Sequence, residues 1–290
     1  MEPMQINQEF HFTEKDFRSI KQLIHTHAGI SLSDTKRNLV YSRISRRLRT
    51  HGLTRFSDYL SLLESNEDEW QPFINSLTTN LTSFFREQHH FPILAEHIKK
   101  LGAQKNINLW CSAASTGEET YSMAMTMVDL FRTYTPSVRI IATDIDTQVL
   151  ETARRGVYSV DRVGQLTSSQ LKRFFLRGRG SNDGTVKIRQ ELQDMITFRQ
   201  LNLLDDKWLL RGPFDAIFCR NVMIYFDKPT QKKILDRFVH LMAPNGLLFA
   251  GHSENFQTIT NAFMPCGRTV YQLKPSNSNK ANPSKIHSTK

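Results

Sequence analysis

Apolar residues recur at helical spacing through the first eighty positions and then switch to short runs. "TEKDFRSIKQLIHTHAG" sets Phe17, Ile20 and Ile24 on one face, opens with Thr13 and Asp16, and stops at Gly29. An acid three residues after a threonine, with a glycine at the far end, predicts a capping-box helix. A second helix is expected from about Ser33 to Gly52, with Val40, Ile44 and Leu48 as its buried stripe. "FSDYLSLLES" and "EDEWQPFINSL" supply two more amphipathic segments, the latter with Trp70, Phe73, Ile74 and Leu77 on one side. No strand-like run interrupts them, so residues 1–80 read as a small helical domain.

From about residue 105 short apolar runs alternate with helical patterns. The expected strands are "INLWC", "VRIIAT", "MITFRQL", "FDAIFC", "GLLFAG" and "TVYQL". The helices between them are "EETYSMAMTMVDLF", "DTQVLETARRG" and "PTQKKILDRFVHLM". In the last, Pro229 suits a first turn and Asn245-Gly246 suits a stop. Such alternation predicts an α/β fold, a doubly wound and mostly parallel Rossmann-like sheet over residues 81–274. One stretch breaks the rhythm: a helix-like "SSQLKRFFLRG", then an Asn182-Asp183-Gly184 turn before alternating Val186 and Ile188. It reads as a small antiparallel insert over about 157–194.

In such sheets ligands sit at the carboxyl ends of the strands. There the first strand runs into "SAASTGEE", a turn of small residues with one glycine, Gly117, followed by Glu118 and Glu119. A dinucleotide loop places bare helix N–H groups and glycines against pyrophosphate. Two carboxylates in the first helical turn complement the helix dipole themselves and would repel a phosphate. The loop therefore argues against NAD or ATP and toward an adenosine ligand carrying a cation. Asp144, ending "VRIIATD", is placed to accept from ribose hydroxyls, although Asp144 or Asp146 serves equally to cap the next helix. In order and on adjacent strands, the two features favour S-adenosylmethionine. Asn202 follows the third of these strands, where an adenine ring would lie, and Arg220, Asn221 and Tyr225 follow the fourth, facing the reacting methyl. Each has a structural alternative, in loop bonding or core packing. "LTTNLTSFFRE" links the domains and is either a helix stop and start or a polar strap over the cofactor mouth, with Asn80, Thr82 and Arg86. In "GHSENF", consecutive His252, Ser253 and Glu254 suit a turn better than a triad.

Composition narrows the partners. The chain has 290 residues and a formal net charge of +10, which predicts a polyanionic partner. "KRNLVYSRISRRLR" carries Lys36, Arg37, Arg43, Arg46, Arg47 and Arg49 with no acid, and is expected to dock that partner. The run 275–290 is rich in Pro, Ser, Asn and Lys, the composition of a disordered tail. Cys111, Cys219 and Cys266 are too few and too scattered for a disulfide framework or a zinc site. With neither a secretory signal nor a membrane span in the sequence, a cytoplasmic location is expected, as a monomer and without a metal.

With these residues in view, the chain resembles the CheR family of chemotaxis receptor glutamate O-methyltransferases from about residue 14 to 274. The stretches that carry the resemblance are "LTTNLTSFFREQHHFPILAEH", "SAASTGEETYSMAM", "ATDIDTQVLETARRGVY", "GPFDAIFCRNVMIYFDKPTQ" and "GLLFAGHSENF". The resemblance implies an S-adenosylmethionine-dependent methyltransferase domain behind an all-helical domain. It implies cofactor contacts from Asn80, Thr82, Arg86, Glu119, Asp144, Asn202, Leu203, Arg220 and Asn221, with Arg86 and Tyr225 near the methyl group. It further implies that the basic helix, through Arg43, Arg46, Arg47 and Arg49, faces the receptor's acidic methylation helices. The insert resembles a subdomain that grips a peptide at the receptor's C-terminus, here with Arg177, Gly178 and Gly180. RNA methylation, or cofactor binding without catalysis, remain the competing readings of the same site.

Overall fold

The structure, a computed structural model, describes residues 9–102 and 106–274. The run 275–290, expected to be disordered, lies outside the described residues. The helical domain contains α1 (Glu14–Ala28), a 3₁₀ turn at Asp34–Lys36, α2 (Arg37–Thr50), α3 (Phe56–Ser65), a second 3₁₀ turn at Glu67–Glu69, and α4 (Trp70–Leu77). Asp16 N donates to Thr13 Oγ1 at 3.1 Å and Thr13 N donates to Asp16 Oδ2 at 2.9 Å, closing the expected capping box. Gly29 ends α1 in the left-handed region, at φ 68°. The apolar stripes of the four helices meet in one core that includes Phe17, Ile20, Val40, Ile44, Leu48, Phe56, Tyr59 and Phe73.

The second part of the chain runs through α5 (His90–Leu101), β1 (Ile107–Cys111), α6 (Glu118–Phe131), β2 (Val138–Asp144), α7 (Thr147–Arg155), β3 (Val157–Ser159), α8 (Ser168–Phe174), β4 (Phe175–Arg177), β5 (Thr185–Ile188), α9 (Gln190–Gln193), β6 (Ile196–Gln200), β7 (Phe214–Cys219), α10 (Lys228–Leu241), β8 (Met242–Ala250), β9 (Phe263–Gly267) and β10 (Val270–Leu273). The main sheet has the order β6-β2-β1-β7-β8-β10-β9. Its first five strands are parallel, and β10 runs antiparallel to both β8 and β9.

Period-two alternation explains the continuous apolar runs. Leu109 and Cys111 of β1 pack on the α5–α6 face, while Trp110 points to the α10 face. Ala216 and Phe218 of β7 join the first layer, and Ile217 and Cys219 the second. The order reverses at β1, whose neighbours lead away in opposite directions, so a crevice opens at the carboxyl ends of β1, β2 and β7. The insert forms its own antiparallel sheet, β3-β5-β4. Tyr158 and Phe175 of that sheet are buried in the same core as Tyr121 of α6.

Three details differ from the sequence expectation. The helix with Pro229 in its first turn ends at Leu241, not at Asn245-Gly246, and those two residues lie within β8. Gly246 answers a close approach instead: a Cβ there would sit 2.9 Å from the Phe214 carbonyl, where the β7–β8 register shifts. Only the first part of "SSQLKRFFLRG" is helical, and the chain enters β4 at Phe175. A further edge strand, β9, lies beyond the expected set.

Candidate active site

The β1–α6 turn is shaped by its one glycine. Gly117 holds φ 97°, and a Cβ on it would lie 2.9 Å from Ala153 Cβ and 3.0 Å from the Tyr158 hydroxyl. The position therefore needs glycine both for conformation and for clearance. The two acids that follow part company. Glu118 turns toward the insert, where Thr116 Oγ1 donates to it at 2.6 Å and Arg162 pairs with it. Glu119 turns the other way and lines a cavity of about 500 Å³ at the carboxyl ends of the strands. That volume lies in the ~300–1,000 Å³ range of small-molecule sites.

All nine residues expected at the cofactor line this one cavity: Asn80, Thr82, Arg86, Glu119, Asp144, Asn202, Leu203, Arg220 and Asn221. Tyr225 lines it too. Asp144 is buried, accepts from Ser115 N at 2.8 Å on Oδ2 and from Asp146 N at 3.0 Å on Oδ1, and each oxygen keeps a lone pair. Burial pushes its carboxyl up to about 6, against the pull of those two backbone N–H groups. Asp146 is the helix cap, with Oδ1 accepting from Gln148 N and Val149 N. Capping, which the sequence left open between the two aspartates, thus falls to Asp146.

Glu119 meets a cation supplied by the protein itself. Arg220, fully buried, places Nη1 3.0 Å from Glu119 Oε2. That contact is off the N–H direction, so Nη1 and Nε of Arg220 lack a hydrogen-bond acceptor among the described residues. Nη2 donates to the Arg86 carbonyl at 2.5 Å. Cys111 Sγ donates to the other Glu119 oxygen at 3.3 Å. Burial raises the Glu119 carboxyl, and Arg220 opposes that rise. A buried guanidinium with free N–H groups at the wall of a cavity suits a ligand with acceptor atoms. S-adenosylmethionine, with a carboxylate and ribose hydroxyls, fits this donor and acceptor set.

The loop carrying Arg220 and Asn221 is latched by a residue whose role the sequence did not reveal. Glu254, from "GHSENF", accepts from Gly251 N at 2.6 Å, Asn221 N at 2.9 Å, Val222 N at 3.0 Å and Met223 N at 2.8 Å. It is a buried carboxylate serving as a cap for a turn that has no helix to satisfy it. A lone acid in a strand-end run was the available signal, but three of its four partners lie 31 to 33 residues away. His252 and Ser253 are exposed beside it, with Ser253 Oγ 3.0 Å from His252 Nε2 and His252 Nδ1 3.3 Å from Glu87 Oε1.

Backbone strain clusters at the same place. Ser115 (φ 49°) and Asn221 (φ 58°) line the cavity, and Phe85 (φ 51°) and Glu87 (φ 52°) flank Arg86. Non-glycine residues in the left-handed region store strain of about 1–3 kcal/mol each where the surroundings over-determine them.

The helical domain forms one wall. Ser31 N donates to the Tyr225 carbonyl at 2.8 Å and Asn202 Nδ2 donates to the His27 carbonyl at 2.6 Å. Thr78 Oγ1 and Asn80 Nδ2 both donate to Asp146 Oδ2, at 2.7 and 2.8 Å, which ties the linker to the β2–α7 turn. The side-chain donors of Asn80 and Asn202 are thus partly committed to the protein. Arg86 Nη1 donates to the Leu81 carbonyl at 2.9 Å, which fixes its stem and leaves its other N–H groups for a ligand.

The basic helix is less free than its sequence suggests. Arg47 forms a two-armed pair with Glu69, at 2.8 and 2.7 Å, and the Tyr59 hydroxyl donates to the same carboxylate. Arg49 pairs with Glu9 at 2.6 Å, Arg37 with Glu14 at 2.7 Å, and Arg43 donates to the Thr78 carbonyl at 2.5 Å. The acids that answer this helix come from distant segments, which a local charge count does not register. In the insert, Gly178 is a packing glycine: its Cβ would fall 2.0 Å from the Asn182 carbonyl. Gly180, at φ 60°, has open space around it, and Arg177 ends β4 opposite Val186. Glu87, His89 and His90 bring three metal-type ligand atoms within 4.8 Å of one another, but Arg220, 3.6 Å from Glu87 Oε2, already supplies a positive charge there.

A seven-stranded sheet reversed at its centre, an acid at the end of β2 and a phosphate-averse first turn define the class: an S-adenosylmethionine-dependent methyltransferase. The chain belongs to the CheR methyltransferase family, whose all-alpha domain matches residues 15–78 and whose SAM binding domain matches residues 80–272. It is 53% identical over 272 residues to a chemotaxis protein methyltransferase of Escherichia coli, covering 93% of this chain and 94% of that one. It is 55% identical over 271 residues to the chemotaxis protein methyltransferase of Klebsiella aerogenes, covering 93% of each. It is 50% identical over 266 residues to chemotaxis protein methyltransferase 2 of Pseudomonas aeruginosa, covering 91% and 95%. Among the described residues no helix is long and apolar enough to cross a membrane.

Proposed function

We propose that this protein methylates glutamate side chains of chemotaxis receptors, forming methyl esters, and that it does so as a cytoplasmic monomer. The observation that carries the reading is the convergence of Arg86 and Tyr225 on the cavity that Asp144, Glu119 and Arg220 also line. S-adenosylmethionine, when bound, supplies an electrophilic methyl group. Asp144 would hold its ribose hydroxyls, Asn202 and Leu203 its adenine, and the Arg220–Glu119 pair its amino-acid end, with Asn80, Thr82 and Asn221 completing the walls.

The nucleophile needs no general base. A glutamate carboxyl has an unperturbed pKa near 4.3, so it arrives ionised at neutral pH. The work left to the enzyme is orientation and exclusion of water. Arg86, with N–H groups not used by the Leu81 carbonyl, would hold the incoming carboxylate, and the Tyr225 hydroxyl would donate one hydrogen bond to it. A tighter grip would lower nucleophilicity, so both act as positioning donors. Lys36 and Arg46, exposed and without an ion-pair partner among the described residues, would lead the electrostatic approach of the acidic receptor helix, with Arg43 beside them. Arg177, Gly178 and Gly180 belong to an insert whose exposed Val157, Val160 and Leu176 suit capture of a receptor C-terminal peptide.

The test incubates the protein with labelled S-adenosylmethionine and receptor membranes. Base-labile label released as volatile methanol is expected; label in RNA, or cofactor binding with no transfer, would replace this reading with another. Arg86→Ala is expected to lower turnover by about tenfold to a hundredfold with cofactor bound, in the range of a lost charged hydrogen bond.

A further inference from the structure

Six large apolar side chains are strongly exposed among the described residues: Leu81, Val157, Val160, Leu176, Leu209 and Ile224. Single exposed apolar residues need no explanation. Leu81 and Ile224, however, line the mouth of the same cavity, although 77% and 51% of their surface faces solvent. They also stand on the two segments that carry the reaction candidates. Leu81 precedes Thr82 in the interdomain segment, and Ile224 precedes Tyr225 in the turn after β7.

Neither residue sits on a loose loop. The Leu81 carbonyl accepts from Arg86 Nη1 at 2.9 Å, and the Ser115 hydroxyl donates to the neighbouring Asn80 carbonyl at 2.9 Å. Ile224 lies in the 3₁₀ turn Met223–Tyr225, whose entry is latched by Glu254 through the N–H groups of Val222 and Met223. The two side chains are therefore held out toward solvent by hydrogen bonds to the backbone around them, at the edge where a substrate must enter.

The third side of the mouth belongs to the basic helix. Leu39 and Lys36 line the cavity, and Arg43 is close enough to Tyr225 and Arg46 to feel both electrostatically. Lys36, Leu39, Arg43 and Arg46 follow one another at three- and four-residue steps, so they share one helix face that runs away from the mouth. The entrance thus joins apolar side chains to a track of positive charge. That combination matches an amphipathic helix rich in glutamate, which carries its apolar residues one turn from the reacting side chain.

We propose that Leu81 and Ile224 form an apolar lip that seats the substrate helix, gripping aliphatic side chains three or four residues from the glutamate to be methylated. This deepens the reading of the protein as a receptor glutamate methyltransferase and rests on it. The lip sets the depth and rotation of the helix, and the basic track sets its direction. Selection among the several glutamates of a receptor then depends on apolar neighbours at helical spacing as well as on charge.

Leu81→Ser, Ile224→Ser and the double variant, made in the full chain, test this with receptor membranes and labelled S-adenosylmethionine. The expected result is a rise of about tenfold or more in KM for receptor, the scale of a lost anchor residue. Cofactor affinity should stay within twofold, and Leu81→Met should restore the wild-type KM. A receptor in which the aliphatic residues one turn from the methylated glutamate are changed to serine should reproduce the defect in the wild-type enzyme. Wild-type transfer that the double variant retains at unchanged KM overturns the lip alone. A matching loss of cofactor affinity in the serine variants overturns it as well, by making these residues part of the cofactor wall. A wild-type protein that methylates RNA and leaves receptor untouched removes the underlying reading, and the lip with it.

Discussion

Asp144 is subject to two opposed effects. Burial raises its carboxyl to about 6, above the usual carboxylate range, so in the unliganded protein the neutral form is favoured only below that pH. Because the folded-state value lies above the unfolded one, this group stabilises the fold below pH 3.8 and loses that contribution as pH rises through about 6. Ligand binding runs the other way, since the ionised carboxylate is the stronger acceptor for ribose hydroxyls. Affinity for S-adenosylmethionine is therefore expected to climb as pH rises through about 6 and then level off, measured by calorimetry on the wild type. Asp144→Asn should lose about tenfold to a hundredfold in affinity above that pH, the scale of one charged hydrogen bond, and should flatten the profile. The sequence placed Asp144 at a strand end by pattern alone. Its elevated pKa was not legible, because the burial that causes it comes from segments far along the chain.

At the level of elements, two buried acids, Glu69 and Glu254, tie distant segments together. Glu69 receives Arg47, Tyr59 and His51 within the helical domain, so removing Arg47 strands a buried carboxylate. Arg47→Ala is expected to destabilise the protein by about 3 kcal/mol, visible as a lower unfolding midpoint. Arg46→Ala, on the exposed side of the same helix, should stay within about 0.5 kcal/mol of wild type. The four N–H groups held by Glu254 give a second contrast. Glu254→Ala should release the Arg220–Met223 turn and weaken both cofactor binding and methyl transfer, while Glu254→Gln, with one oxygen left, should fall between. Each unsatisfied buried donor stands to cost about 1–3 kcal/mol, so calorimetric stability should fall with activity. Helix starts and stops were readable in these elements because capping is local. The pairs Arg47–Glu69 and Glu254–Asn221 were not, because they join residues 22 and 33 positions apart.

Across the whole molecule, the helical domain and the sheet domain build one cavity between them. Ala28, Ile30, Leu39 and Leu77 come from the first and Asp144, Leu203 and Arg220 from the second. The net charge of +10 then acts on encounter more than on the cofactor site. Raising ionic strength from about 0.05 to 0.5 M is expected to depress receptor methylation several-fold through the association step, because exposed charges are screened over roughly 10 Å at 0.1 M. Cofactor affinity, governed by buried groups, should change far less over the same range.

The linear pattern of apolar positions was enough to divide the chain into a helical part and an alternating part, and to mark the strand ends where a ligand belongs. Local chemistry was enough to argue against a phosphate at Glu118–Glu119 and to place a cap at Thr13. Charge alone could not choose between the two glutamates and the resemblance pointed to Glu119; the tertiary structure supplies the physical reason, because one helical step of about 100° sends Glu118 to Arg162 and Glu119 to Arg220. It also decided which cations remain free and which exposed apolar residues share a mouth. Propensity, capping and periodicity act over a few residues and are written in order along the chain, whereas charge pairing, burial and cavity walls depend on what the fold brings alongside.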